Sequence, residues 1–249
     1  MTPTVRLAVG LLVLVAVAVA VLTVGRVGQR RAVLIASVRA AVQLSVVALA
    51  LRGVFAAPEF VVLALAVMFG VATWTAGRRL RGTPGAGRAV VLACGAGAAV
   101  AIGIICGLPV LDRSVRTLVA VSGIVIGGTM TAATLTGRRL VEGLRRRREE
   151  VEAWLALGAT PRRAVQAIAR DAAAEALVPA LDQTRTVGLV TLPGAFIGAL
   201  LGGASAATAA RFQVVVLVGL LCAESITAVL LAWLLGAPRV LPELEAQRR

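Results

Sequence analysis

The sequence predicts an all-α polytopic membrane helix bundle of about seven transmembrane helices with one cytoplasmic helical insert. Three observations predict it. Hydrophobic residues make up 59% of the 249 and the mean hydropathy is +0.93, against roughly 45–50% apolar residues in soluble domains, so most of the chain expects lipid as its solvent. Seven stretches are long and apolar enough to cross a hydrocarbon layer of ~30 Å as helices. The arginines fall in alternate loops, the pattern that the positive-inside rule converts into a topology.

The predicted spans run 5–24, 32–52, 55–76, 89–111, 117–136, 187–205 and 212–236. Leu7–Val24 carries no charge, and the Arg-rich stretch behind it has no small-residue cleavage site, so it is expected to be a retained span rather than a signal peptide. Arg26, Arg30 and Arg31 follow span one; Arg78, Arg79, Arg81 and Arg88 follow span three; ten arginines from Arg138 to Arg185 follow span five. The opposite loops hold Arg52, then Asp112, Arg113 and Arg116, then Arg211. The rich loops are expected in the cytoplasm, with the N-terminus outside and the C-terminus inside.

The same composition excludes several chemistries. All 26 basic residues are arginine, and without lysine there is no Walker A motif and no P-loop ATP hydrolysis on this chain. Without histidine there is no Ser-His protease and no His-ligated zinc hydrolase. Cys94, Cys106 and Cys222 lie within apolar segments, where cysteine behaves as a small buried hydrophobe, and imply no disulfide framework. The net charge of +14 is accounted for by topology and contact with anionic membrane lipid; 3% aromatic content leaves little to stack on bases, so no nucleic-acid partner is expected.

The chain reads as one domain, 1–249, containing a cytoplasmic insert, 138–186. The insert opens with RRLVEGLRRRREEVEAWLAL, which continues span five as an amphipathic helix and offers the i,i+4 pairs Arg145–Glu149, Arg146–Glu150 and Arg148–Glu152. Gly158 then supplies a terminator, Thr160 an N-cap and Pro161 the first residue of the next helix. Arg163 stands where a capping box would place Glu, a cation against the helix dipole, which fits either a solvated face or an acidic groove on a partner.

Charges inside spans are expensive, ~2.5–3.5 kcal/mol each on insertion scales, so Arg39 with Gln43 in span two, and Glu224 in span seven, should pair or face water. Two arrangements satisfy this: an Arg39–Glu224 ion pair, or a cation route lined by Glu224, Gln43, Met130 and Cys222 with Asp182 and Thr184 at its cytoplasmic mouth. Soft sulfur ligands and hard oxygens are both present, so the metal preference stays open. Gly123 and Gly127, then Gly194, Gly198 and Gly202 behind the kinking Pro193, form small-residue faces suited to packing within the chain or between copies.

Glu152, Ala153, Gly158 and Ile168 fall in register with the coupling-loop pattern of ABC-transporter permeases (Glu-Ala-Ala, three residues, Gly, nine residues, Ile, then any residue and Leu-Pro). Trp154 replaces the second Ala, and Arg170-Asp171 stand in place of Leu-Pro. More specifically, Arg39, Gln43, Gly127, Met130, LGATPRRA (157–164), DQTRTVGLVTLPG (182–194), GGAS (202–205) and RFQ (211–213) resemble the seven-span permease family that includes the bacterial iron-export and plant aluminium-tolerance permeases. The resemblance extends from about residue 30 to 236. It departs at Gly128, Thr131, Ala195 and Phe196, where that family tends to carry Asn beside Gly-x-Met and Met-Met after Leu-Pro-Gly.

The resemblance implies a permease subunit in the cell inner membrane that exports a metal ion or related solute. It implies no cofactor on this chain: ATP and Mg would be held by a separate ATP-binding subunit, and two permeases with two ATPases would form the transporter. Glu152, Ala153, Gly158, Ala159, Thr160, Pro161, Arg162, Arg163 and Ile168 would form the ATPase-coupling element. A membrane scaffold whose basic insert recruits a soluble partner or anionic lipid is the alternative from another class.

Overall fold

The computed structural model describes residues 2–56, 58–108, 111–112 and 114–238. Arg113 and the segment after residue 238 lie outside the described residues, as does the side chain of Arg52. The described residues form nine α-helices: α1 Pro3–Val24, α2 Arg30–Ala56, α3 Val61–Arg79, α4 Ala86–Gly107, α5 Val115–Arg146, α6 Arg148–Ala156, α7 Pro161–Thr186, α8 Gly194–Leu201 and α9 Ala206–Leu235, with one 3-10 turn at Pro58–Phe60. Packing divides the chain into two compact units, Met1–Phe60 and Val61–Arg249.

The first unit is the α1–α2 hairpin. Both helices are apolar, and leucines and valines point outward all along them, Leu12, Leu14, Leu44 and Leu49 among them. A helix apolar on every side is stable where lipid, not water, surrounds it.

The second unit holds the core, and its close approaches fix the direction of each helix. Gly123 faces Met68 and Gly137 faces Leu80, so α3 and α5 run parallel. Gly95 faces Phe69 and Gly77 faces Gly87, so α4 returns antiparallel to α3. Gly97 abuts Ala223 and Thr227 while Gly219 abuts Ile105, so α9 is antiparallel to α4 and starts at the same end of the bundle as α5. Small residues make these approaches possible, as usual where helices meet in lipid. Several hydroxyls inside the helices bond back to their own backbone, Thr73 to Phe69 O (2.9 Å), Thr134 to Met130 O (2.8 Å) and Thr227 to Ala223 O (2.8 Å), which satisfies them without water.

Six of the described helices, α1 to α5 and α9, are long and apolar enough to cross a membrane. This makes the chain a multi-pass membrane protein. The predicted span 187–205 takes another form. It contains a turn closed by the Val187–Thr191 bridge, Gly188 at φ +81°, Pro193 as N-cap, and only the eight residues of α8, about 12 Å of helix. Because α5 and α9 run the same way, the chain must still return along the bundle between Arg147 and Ser205. The return is shared: α7, about 39 Å long, lies antiparallel to α5 through Ile168 on Gly143 and Glu175 on Arg139, and α8 completes it. The return between α5 and α9 is therefore made by two helices, α7 and α8, neither of which is by itself both long and apolar enough to cross a membrane.

Candidate functional site

The α6–α7 element is built by local signals and then locked by packing. α6 ends in a Schellman motif, Ala159 N donating to Trp154 O and Gly158 N to Leu155 O, each 3.0 Å. Gly158 takes φ +87°, which only a residue without a Cβ adopts freely. Thr160 caps α7 by accepting from Arg163 N at 3.4 Å, with Pro161 in its first turn. One face of α7, including Ala164, Val165, Ile168, Ala169 and Ala172, is buried in the bundle core. Ile168 thus belongs to the α5–α7 packing and not to the outer surface.

The outer surface carries Glu152, Ala153, Trp154, Leu155, Gly158, Pro161 and Arg163; Ala159 is half-buried. Leu157 at its tip is 81% exposed. Arg162, also exposed, turns toward α9: its guanidinium lies 4.1 Å from the centre of the exposed Trp233 ring, stacking the first turn of α7 on the last turn of α9.

An ionic network joins α5, α6 and α7. Arg147, at the break between α5 and α6, donates to Glu150 from Nε (2.7 Å) and Nη2 (2.8 Å) and to Asp171 from Nη1 (3.0 Å). Arg139 meets Glu175 at 3.1 Å, and Arg148 meets Glu152 at 2.7 Å. The hydrogen bonds from Arg147 hold the Glu150 carboxyl below the usual carboxylate range, and those same bonds raise Arg147. Of the predicted helix pairs, Arg148–Glu152 forms. Arg146 pairs with Glu142 instead of Glu150, because the helix stops at Arg147 and the i,i+4 register does not continue across the break.

Deeper in the bundle, Glu224 is only 8% exposed and makes no hydrogen bond or ion pair among the described residues. Its carboxyl rests against Gly128, where a Cβ would lie 2.7 Å from Oε1. Met130 and Cys222 are half-buried. α5 adds Ser122, Thr129 and Thr136, seven residues apart and so on one face, all fully buried; the hydroxyls of Ser122 and Thr136 and Oε1 of Gln213 have no partner among the described residues. Sequence reasoning missed this seam, although the heptad spacing of three hydroxyls in an apolar span was its signal. Nor did it give Asp171 its partner Arg147 or single out Trp233, since these contacts arise only when helices distant in sequence meet.

Asp182 is exposed and lies 3.7 Å from Arg185, while the half-buried Thr184 donates to Ala180 O at 2.8 Å. Arg39 and Gln43 belong to the first unit and are exposed there. Among the described residues no three of His, Cys, Asp and Glu are grouped to hold a metal ion. The predicted packing glycines differ among themselves. A Cβ at Gly123 would lie 3.0 Å from Met68 Cε; one at Gly127, Gly194 or Gly198 would meet open space, and one at Gly202, the end of the helix behind Pro193, only that helix's own carbonyls.

A family model described as "Uncharacterised protein family (UPF0014)" matches residues 5–238. The chain belongs to this family. UPF0014 relatives include the membrane protein STAR2 of Oryza sativa subsp. japonica, 36% identical over 222 residues, covering 88% of this chain and 78% of that protein. Protein ALUMINUM SENSITIVE 3 of Arabidopsis thaliana is 35% identical over 200 residues, 78% of this chain and 73% of its own. The probable iron export permease protein FetB of Escherichia coli (strain K12) is 28% identical over 200 residues, 79% of this chain and 76% of its own. No solved structure matches the chain.

Proposed function

We propose that this UPF0014 member is the membrane-spanning permease subunit of an ABC transporter, exporting a metal ion or a related solute with ATP hydrolysed on a separate chain. The observation that carries this is the α6–Gly158–α7 element: one face is seated in the bundle and the other presents Trp154, Leu155 and Leu157 outward beside Glu152 and Arg163. A partner that grips such a tip moves α7 as a body. The names of an iron export permease in a bacterium and an aluminium-sensitivity protein in a plant, both relatives of this chain, support the cargo class.

On this reading residues 138–186 are the coupling insert of a single permease domain, lying in the cytoplasm, with the N-terminus outside and the C-terminus inside the cell inner membrane. Two permeases and two ATP-binding subunits, which hold the ATP and Mg, complete the transporter. Motion reaches the path through the Arg162–Trp233 stack, because Trp233 and Glu224 share α9 and stand nine residues, about 14 Å, apart. Glu224 and the α5 hydroxyl seam offer hard oxygen ligands, Met130 and Cys222 softer ones, with Asp182 and Thr184 toward the α7 end.

The test is co-expression with the ATP-binding protein encoded nearest to this chain, recovery through a tag on the permease, and assay of ATP hydrolysis. Wild type should retain that protein stoichiometrically, and Leu157→Asp/Arg163→Glu should lose it. A well-folded wild type that retains no ATPase would leave the scaffold function in its place.

A further inference from the structure

An open cavity of about 790 Å³ lies between the end of α3, the turn that follows it and the last turns of α5. Six arginines line it: Arg79, Arg81, Arg138, Arg139, Arg145 and Arg146. Its one carboxylate, Glu142, is already engaged by Arg139 (3.4 Å) and Arg146, and Arg139 is further committed to Glu175. The side chains of Arg79, Arg81 and Arg138 make no ion pair or hydrogen bond among the described residues, so three guanidinium forks line the groove with no carboxylate of the described residues to answer them. Such convergence of like charge is unfavourable until a counter-ion enters, and guanidinium matches phosphate oxygens in geometry as well as charge.

Depth decides the source of that anion. Leu80 and Leu135 contribute apolar lining, and Leu80 is buried against Gly137, the last residue of the apolar run of α5. Trp74, 59% exposed, lies on α3 one turn before Arg78, whose guanidinium stacks 5.3 Å from its ring centre. Exposed tryptophan with a flanking arginine marks the headgroup level of a bilayer, and basic pockets between helices on the arginine-rich side take anionic headgroups. We propose that this groove binds the phosphate of an anionic membrane phospholipid, held by Arg79, Arg81 and Arg138. The inference rests on the membrane fold and holds whether or not the chain transports anything.

The experiment is native mass spectrometry of detergent-purified, delipidated protein offered phosphatidylglycerol, phosphatidylcholine, or inorganic phosphate alone. Wild type should retain phosphatidylglycerol and not phosphatidylcholine. Arg79→Gln/Arg81→Gln/Arg138→Gln should bind phosphatidylglycerol about tenfold or more weakly, since each lost fork removes charge-assisted hydrogen bonds. Arg30→Gln/Arg31→Gln, which removes charge outside the groove, should bind as wild type does. Arg81→Gln alone, in an exposed turn, should weaken binding in the same direction if the triple variant fails to fold. Equal retention by wild type and groove variants overturns the proposal, as does equal weakening by Arg30→Gln/Arg31→Gln. Inorganic phosphate that protects wild type as well as phosphatidylglycerol does would assign the groove to a soluble anion and overturn the lipid.

Discussion

α8 and α9 are neighbours in sequence and both are apolar, yet only one belongs to the core. Twelve residues of α9 are buried, and α4 and α5 approach it at Gly97 and Gly128. α8 has the more regular glycine pattern, but it buries no residue, and Gly194 and Gly198 face open space. Glycine spacing says where a neighbour would fit. Contact additionally requires a helix that runs alongside for several turns, and eight residues offer about two turns.

The strongest way to break that contrast is Gly97→Ala. Its Cβ would run into the Ala223 carbonyl and the Thr227 hydroxyl, and one of the two is backbone and cannot swing aside. The expected cost is ~1–3 kcal/mol of overpacking, read as a lower unfolding temperature in detergent, together with loss of the 3.3 Å bond from Thr227 to Ala93 O. An unchanged unfolding temperature would mean that α4 and α9 are less close than described. Next is Trp233→Leu, which removes the stack on Arg162. Exposed cation–π contacts contribute ~0.5–1 kcal/mol, so stability should fall little, whereas ATPase stimulation by the permease should fall severalfold if α7 moves α9 through this contact. Smaller again is Gly194→Ala/Gly198→Ala: α8 should gain up to ~0.5–1 kcal/mol per site, because alanine favours helix and nothing blocks its Cβ. Destabilisation there, with loss of a dimer by light scattering, would show that a second copy fills the open face.

The long apolar helices were legible because lipid imposes one rule, unbroken hydropathy over about twenty residues, and the α6–Gly158–α7 break because Gly, Thr and Pro each have a backbone reason to stand there. The broken return was not legible as such. Glu175, Asp182 and Arg185 give α7 the composition of a soluble helix, and only its antiparallel contact with α5 reveals that it carries the chain back. The Arg147–Asp171 bond, 24 residues apart in sequence, and the Arg162–Trp233 stack likewise have no local signature. Glu224 was visible as a charge in a span, but its place against Gly128 depends on the register between α5 and α9.

The smallest expected effect distinguishes the two ways in which α5 holds α7, the apolar seat of Ile168 on Gly143 and the ionic rim at Arg147. Glu150 has its folded pKa lowered by hydrogen bonds from Arg147, so its contribution is fully present above the unfolded carboxylate value of ~4.3 and is lost as pH falls through the folded value. Arg147, raised in the folded state, keeps its charge throughout that window and adds no acid step of its own. Acidification below about pH 4 should therefore loosen residues 147–160 while the buried seat of α7 holds. Amide exchange, corrected for its intrinsic pH dependence, should show protection falling in α6 first, and Glu150→Gln should remove most of that step. If α6 and α7 instead open together, the rim and not Gly143 fixes α7 to the bundle, and the contrast between buried seat and exposed edge would have to be redrawn there.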